Sequence, residues 1–438
     1  MLSTSTIAMA GFLMIMVFMY LIMSKRLSAM VALILVPLIF ALIMGYHNGL
    51  GKMMMDGVKK VAPTGIMICF AILFFGIMID AGLFDPLIAK ILKVVKGDPV
   101  KITVGTALLA ALVSLDGDGS TTYLVTTTAM LAVHRRVGMN AMILPAITIM
   151  MNSIMNIIPW GGPTGRILSA LHLEASEVFN PFIPAMFLGT VWVMFLAYRW
   201  GTAERKRLGV VDLEAQGSAM ETNVEADPEA DKLKRPKLFT INLVLTIVLL
   251  VALVVEVFPL AILFMIGTAL ALVINYRSLK EQGERITANG ANAMSVVGLI
   301  FAAGIFMGIM DGTKMGDAMA KSIIAAIPAS MGPHFGPITA LLSLPGTFFM
   351  TNDAFYFGVL PVLAKAAASY GVSTAEMGRA ALIGQGSHLL SPLVASTYLL
   401  VGINKVEFGD LQKYALLPAM GVSFIWFIYA VLTGLIHL

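Results

Sequence analysis

The sequence predicts an all-α polytopic membrane protein, with about ten spanning helices and two re-entrant hairpins in two inverted-topology repeats. Three observations predict it. Of 438 residues, 58% are hydrophobic and only 12% are charged, and apolar runs near the ~20 residues that cross a bilayer fill the chain. Two stretches are apolar at both ends and polar in the middle, as a hairpin stopping at mid-membrane would be. The second half of the chain matches the first at an offset of 232 to 234 residues.

The spans follow in order from apolar windows bounded by charges, Gly and Pro. The first half holds Ile7 to Met23, Leu27 to Tyr46, Val61 to Ile79, an interrupted span at Ala141 to Leu173, and Phe182 to Tyr198. The second holds Leu238 to Val255, Phe258 to Asn275, Ala291 to Met310, an interrupted span at Ala380 to Gly402, and Tyr414 to Leu432. The hairpins are Ile102 to Val133 and Ile338 to Ala368. Gly201 to Lys237 is polar and lacks an apolar stripe, so it reads as a solvated linker.

The repeat is visible in matched residues. Gly76-Ile77-Met78 answers Gly308-Ile309-Met310, Asp85 answers Asp317, Pro159 and Thr164 answer Pro392 and Thr397, and Pro184-Ala185-Met186 answers Pro418-Ala419-Met420. Five crossings per half, an odd number, turn the second half over and place a site at the repeat interface. Counting loops, 21 of the 29 basic residues fall on one side and 8 on the other, which makes the first side cytoplasmic and puts both termini outside. The expectation is a multi-pass protein of the plasma (inner) membrane, embedded in the lipid bilayer.

The same features exclude other classes. A soluble core cannot absorb this much apolar surface, and the net charge of +4 sits in short loops rather than on one polar face, so no nucleic-acid partner is expected. The single cysteine, Cys69, lies in an apolar run and leaves no disulfide framework. MLSTST followed by an apolar run lacks a basic n-region and reads as the start of the first span.

Chemistry concentrates where the spans break. The first hairpin turns through Ser114-Leu115-Asp116-Gly117-Asp118-Gly119-Ser120-Thr121-Thr122. An Asp at the bilayer centre costs roughly 2.5–3.5 kcal/mol on insertion scales, and this turn carries two. Gly117 and Gly119 permit close backbone approach, so amides can meet an anion while Asp116, Asp118, Ser120 and Thr121 meet a cation or proton. Capping of helix ends is the alternative use of both aspartates. An EF-hand is excluded, because Thr121 and Thr127 stand where Gly and Glu are required. The second tip carries Thr351, Asn352 and Asp353, where N-capping again competes with a functional role.

In the first broken span, Asn152 and Asn156 share a helix face ahead of Pro159-Trp160-Gly161-Gly162-Pro163-Thr164-Gly165-Arg166. Two prolines and three glycines end the helix, so a half-helix starts near Thr164 with free amides, an anion site beside which Arg166 is the basic residue. Snorkelling to the outer interface is the alternative for Arg166. The counterpart carries Ser387, His388 and Ser391; His388 serves either as a proton relay or ligand or as a hydrogen-bonded packing residue. The 32 methionines read as packing filler.

On GFLMIMVFMYLIMSKRLS, GIMIDAGLFDPLIAKILKVVKGDP, SLDGDGSTT, MNIIPWGGPTGR and GQGSHLLSPLVASTYLLVG, the chain resembles the CitMHS family of metal-citrate:proton symporters over nearly its whole length, from Gly11 to Gly402. The resemblance implies a transporter rather than an enzyme, with no resident cofactor. Its implied cargo is a metal–citrate complex holding a divalent ion of the Mg or Ca type, with protons as the coupled ion. It also implies a homodimer working by an elevator mechanism. Residues 1–100 and 238–337 would be scaffold, 101–200 and 338–438 the transport domain, and 201–237 a cytoplasmic linker. Relatives in the wider superfamily hold sodium with Ser-Asn-Thr tips; here the tips read Gly119-Ser120-Thr121 and Thr351-Asn352-Asp353. Alternatives are a sodium/proton or arsenite antiporter of the same superfamily and a transporter of free di- or tricarboxylates. A channel and a multispanning prenyl transferase fit less of the pattern.

Overall fold

The computed structural model describes residues 3–211, 228–255, 257–326 and 328–438. Every regular element among them is helical. In the first repeat these are α1 (Thr4–Met23), α2 (Ala29–Ile43), α3 (Leu50–Asp80), α4 (Asp85–Val95), α5 (Pro99–Val113), α6 (Gly119–Val137), α7 (Ile143–Met155), α8 (Gly162–Leu171), α9 (Ala175–Val178) and α10 (Ile183–Leu208). After α11 (Pro228–Leu233), the second repeat holds α12 (Phe239–Val255), α13 (Leu260–Asn275), α14 (Leu279–Gly312), α15 (Met315–Ala326), α16 (Phe335–Phe349), α17 (Leu360–Ala368), α18 (Thr374–Leu382), α19 (Gln385–His388), α20 (Ala395–Asn404) and α21 (Phe408–Leu432).

Seven of the described helical segments are long and apolar enough to cross a membrane, and four shorter apolar helices accompany them. The expected hairpins are α5–α6 and α16–α17, the second entering α17 through a π-helical turn at Ala354–Val359. The expected broken spans are α7–α8 and α18–α19–α20. Each repeat therefore contributes five crossings and one hairpin, the odd count that inverts the second relative to the first.

Three details differ from the sequence reading. The half-helix expected to start near Thr164 begins at Gly162, because Gly161 adopts an extended N-cap conformation and Pro163 fits the first turn. The linker expected from Gly201 starts later, since α10 runs to Leu208; part of the rest, residues 212–227, lies outside the described residues. The extra turns of α10 have partners: Arg205 Nε donates to Asp98 Oδ1 at 2.9 Å, and Glu204 accepts the Asn140 amide at 3.0 Å, fixing the starts of α5 and α7. The short helices α4 and α15, too brief and charged to read as spans, occupy equivalent places after the third crossing of each repeat. Their matched acids each meet a lysine, Asp85 with Lys234 at 3.1 Å and Asp317 with Lys365 at 3.2 Å.

The broken helices lie at the centre, and every residue of α7 is buried. The most extensive helix contact joins α3 to α14. Lipid offers no hydrophobic drive between helices, so close backbone approach has to hold such a pair. Gly57 supplies it by packing on Gly304 and Gly308; an added Cβ on Gly57 would lie 1.9 Å from the Gly304 carbonyl oxygen and 2.8 Å from the Gly308 Cα. Gly57→Val should therefore part the helices and cost at least the ~1–3 kcal/mol typical of overpacking. Gly51→Ala, in the same helix with nothing within 4 Å, should be neutral or stabilising. Thermal melting in detergent checks the pair; equal melting temperatures would contradict this packing.

Candidate functional site

At the tip of the first hairpin, α5 tightens into a 3-10 turn over Ser114–Asp116, and Gly117 reverses the chain at φ +78°. Asp116 is buried and its Oδ1 accepts the Asp118 amide at 2.8 Å. Asp118 is extended and caps α6: its Oδ1 accepts the Ser120 amide at 3.3 Å, and its Oδ2 accepts the Thr121 amide at 3.0 Å and the Thr121 hydroxyl at 2.8 Å. The capping use expected as an alternative is realised at Asp118. Its carboxylate also sits at the positive end of the α6 dipole.

The first helix break is closed by side chains. Thr164 Oγ1 donates to the Ile157 carbonyl at 2.5 Å, and its repeat mate Thr397 donates to the Leu389 carbonyl at 2.6 Å. Gly161 is obligatory, since an added Cβ would stand 2.0 Å from the Asn156 carbonyl oxygen. Trp160 bridges the parts: its Nε1 donates to the Leu115 carbonyl of the hairpin tip at 2.9 Å, while its ring stacks on Phe75 of α3 and meets Phe264 of α13 edge-on, centroids 6.0 and 5.0 Å apart.

These elements enclose a cavity of about 440 Å³, within the ~300–1,000 Å³ that ligand pockets occupy. Of the residues singled out from the sequence, Asp116, Gly117, Asp118, Gly119, Ser120, Thr121, Asn156, Gly162 and Arg166 line it. Four polar residues on its wall were not singled out: Asn289, Asn292 and Ser295 of α14, and Ser396 in the first turn of α20. The α14 residues recur every third position at the edge of an apolar run, and that spacing on one face was the signal available.

The second hairpin is organised differently. Arg166 is not a lone cation waiting for an anion: its Nε donates to Asp353 Oδ1 at 2.6 Å and its NH1 to the Gly162 carbonyl at 2.9 Å, with both charged side chains mostly buried. Nor does it reach an interface by snorkelling. Thr351 Oγ1 accepts the Ala354 amide, and the Asn352 side chain accepts from Gln385 at 3.0 Å. His388 Nδ1 meets the Thr347 carbonyl at 2.6 Å, Ser391 donates to the Phe348 carbonyl at 2.6 Å, and Ser387 is buried beside them. Thr351, Asn352, Asp353, Ser387, His388 and Ser391 thus form a separate polar cluster around the second tip, off the cavity wall. Gly161, Thr164 and Asn152 stand behind the wall. Asn152 is fully buried, close to where a Cβ on Gly119 would be, and among the described residues its side-chain atoms have no hydrogen-bond partner in good geometry.

A family model described as a citrate transporter matches residues 5–384. A citrate transporter from Bacillus subtilis (strain 168) is 57% identical over 430 residues, covering 98% of this chain and 99% of that one. A Mg(2+)/citrate complex secondary transporter from the same organism is 49% identical over 433 residues, covering 99% of each. Among solved structures, the Alcanivorax borkumensis YdaH transporter, described as having an unusual topology, superposes with a TM-score of 0.58 at 15% identity over 88% of each chain, a likeness of fold.

The Arg166–Asp353 pair generates a stability prediction. Removing one partner of a buried pair leaves an uncompensated charge, at a cost of about 3–5 kcal/mol. Arg166→Met and Asp353→Leu should each lower the melting temperature more than the double variant does; simple additivity would show that the two side chains do not pair in solution.

Proposed function

This chain belongs to the CitMHS family of citrate transporters, and on that premise we propose that it carries citrate already bound to a divalent cation, of the Mg or Ca type, together with protons. The charge around the cavity carries this reading. Asp116 and Asp118 face the cavity, and the nearby guanidinium of Arg166 is held by Asp353. Free citrate has about three negative charges near neutral pH. At an effective dielectric of about 20, each like-charge pair some 5 Å apart repels by roughly 3 kcal/mol. When both are ionised, the two carboxylates therefore oppose the naked trianion by more than any unpaired cation on the wall among the described residues offsets. A divalent cation leaves a complex near −1, and hard cations favour oxygen ligands of the kind Asp116 supplies.

The roles then divide by geometry. The amide of Gly162, the hydroxyl of Ser120 and the amide side chain of Asn156 suit the carboxylates of citrate, and Thr121 Oγ1, its proton given to Asp118, is left to accept from the citrate hydroxyl. Asp118, with both oxygens committed to α6, chiefly shapes the tip. Asp116, buried and receiving one backbone amide, is the group to meet the metal or hold the coupled proton. Citrate is substrate here, and the metal travels with it.

Translocation in this reading is an elevator movement. The hairpins, broken spans, α10 and α21 move against a scaffold of α1–α3 and α12–α14, within a homodimer whose termini both lie outside. The Trp160 contact with Phe75 and Phe264 crosses that boundary, as does the bridge from Lys365 of α17 to Asp311 of α14 at 2.8 Å, and both must part for the movement to occur.

In proteoliposomes with an imposed proton gradient, citrate uptake should vanish with excess chelator and return on adding Mg2+ or Ca2+. Undiminished uptake in chelator would identify the free anion as the substrate and overturn the charge argument.

A further inference from the structure

Behind the first tip, the interior of the hairpin carries buried polar groups that neither capping nor the cavity uses. Tyr123, Thr126 and Thr127 of α6 and Asn152 of α7 are fully buried, and His134 is nearly so. Among the described residues, both threonine hydroxyls and His134 Nδ1 have no hydrogen-bond partner, and the Tyr123 hydroxyl and the Asn152 side chain, which face one another, have none in good geometry. Threonines in helices ordinarily give their hydroxyl to the carbonyl four residues back, as Thr106 does to Ile102 at 2.8 Å, Thr148 to Leu144 at 2.9 Å, and the exposed Thr128 of α6 itself to Leu124 at 2.8 Å. Thr126 and Thr127 do not. Unpaired polar groups at this depth are destabilising, and ordered water is the common remedy where several converge.

The groups form a line. Tyr123, Thr127 and His134, spaced by four and seven residues, lie on one stripe of α6, which packs against α5, α7 and α20. At the inner end, Tyr123 faces Asn152, Ser396 and Thr397 and lies in the field of Asp118, one turn from the tip. At the other end, His134 Nε2 meets Thr106 Oγ1 at 3.1 Å, beside Arg135 and Arg136 in the last turn of α6. Because the Thr106 hydroxyl donates to Ile102, it accepts from Nε2–H, which leaves Nδ1 a lone-pair acceptor in need of a donor. Tyr123 to His134 is a rise of about 16 Å, and the longest gap, Thr127 to His134, about 10 Å and flanked on the same face by buried Met130 and by Leu131, is one that about three waters would span at hydrogen-bond spacing.

We propose that this stripe holds a file of water inside the first hairpin and that the file conducts the coupled proton between the Asp116–Asp118 tip and the membrane side bearing Arg135 and Arg136. The proposal rests on the proton coupling stated above and adds its route, one separate from the cavity that the cargo fills. Each water, Tyr123 and His134 accepts one proton while releasing another, so the file ends unchanged. A proton can then leave the tip while the metal–citrate complex still occupies the cavity.

The test separates net transport from exchange. Thr127→Val is isosteric and lies outside the cavity; it should slow proton-driven net citrate uptake about tenfold or more while leaving citrate–citrate exchange within about twofold of wild type. Thr126→Val should slow net uptake less, and Thr127→Ser, which restores the hydroxyl, should recover it. Wild-type net uptake in both valine variants would overturn the file, as would equal loss of exchange and net uptake in Thr127→Val, which would make Thr127 a packing residue. Wild-type uptake that is indifferent to a protonophore would instead remove proton coupling itself, and the file with it.

Discussion

Backbone that stops being helical at mid-membrane has no water to turn to, so each break here must satisfy its own amides and carbonyls from within the protein. That constraint organises the centre of the molecule. Asp118 caps α6 because a hairpin ending in apolar surroundings needs an acceptor for its first amides. Thr164 and Thr397 close the two broken spans with the same bond, side-chain hydroxyl to the carbonyl seven or eight residues back. Trp160 ties the first break to the first tip through the Leu115 carbonyl. The polar atoms that make non-helical backbone tolerable in lipid are those that make a polar cavity available to a cargo.

Electrostatics follows from the same economy of groups. Arg166 and Asp353 neutralise one another across 187 positions of sequence, joining the first broken span to the second hairpin. The cavity is left lined by carboxylates and neutral donors. Such a wall suits a small anion that brings its own cation, and it leaves little for a bare trianion. The second tip, with Thr351, Asn352, His388 and Ser391 already bonded locally, is a joint between hairpin and broken span more than a second mouth for cargo.

What was legible in the sequence was what local pattern encodes. Apolar runs marked the spans, polar centres marked the hairpins, Pro-Gly clusters marked the breaks, and the match of Thr164 to Thr397 anticipated their identical bonds. Pairings at long range were not legible. Nothing near Arg166 names Asp353 as its partner, and nothing near Gly201 tells that Glu204 and Arg205 reach Asn140 and Asp98 to continue the helix. The wall of α14 was missed for another reason: Asn289, Asn292 and Ser295 straddle the edge of an apolar window, where hydropathy assigns polar residues to solvent although the fold turns them toward the first tip. Asp118 was ambiguous in sequence because a cap and a binding group use the same side chain, and the structure gives it the cap.

In the proposed function, metal-bound citrate sits between the first hairpin tip and the first helix break. A cryo-electron-microscopy structure of the protein loaded with magnesium and citrate tests it most directly. Density is expected in the cavity touching Ser120, Thr121 and the Gly162 amide, with the cation toward Asp116. Density instead at Thr351 and Asn352, or a citrate bound in the cavity with no cation beside it, would rule out this site for the complex.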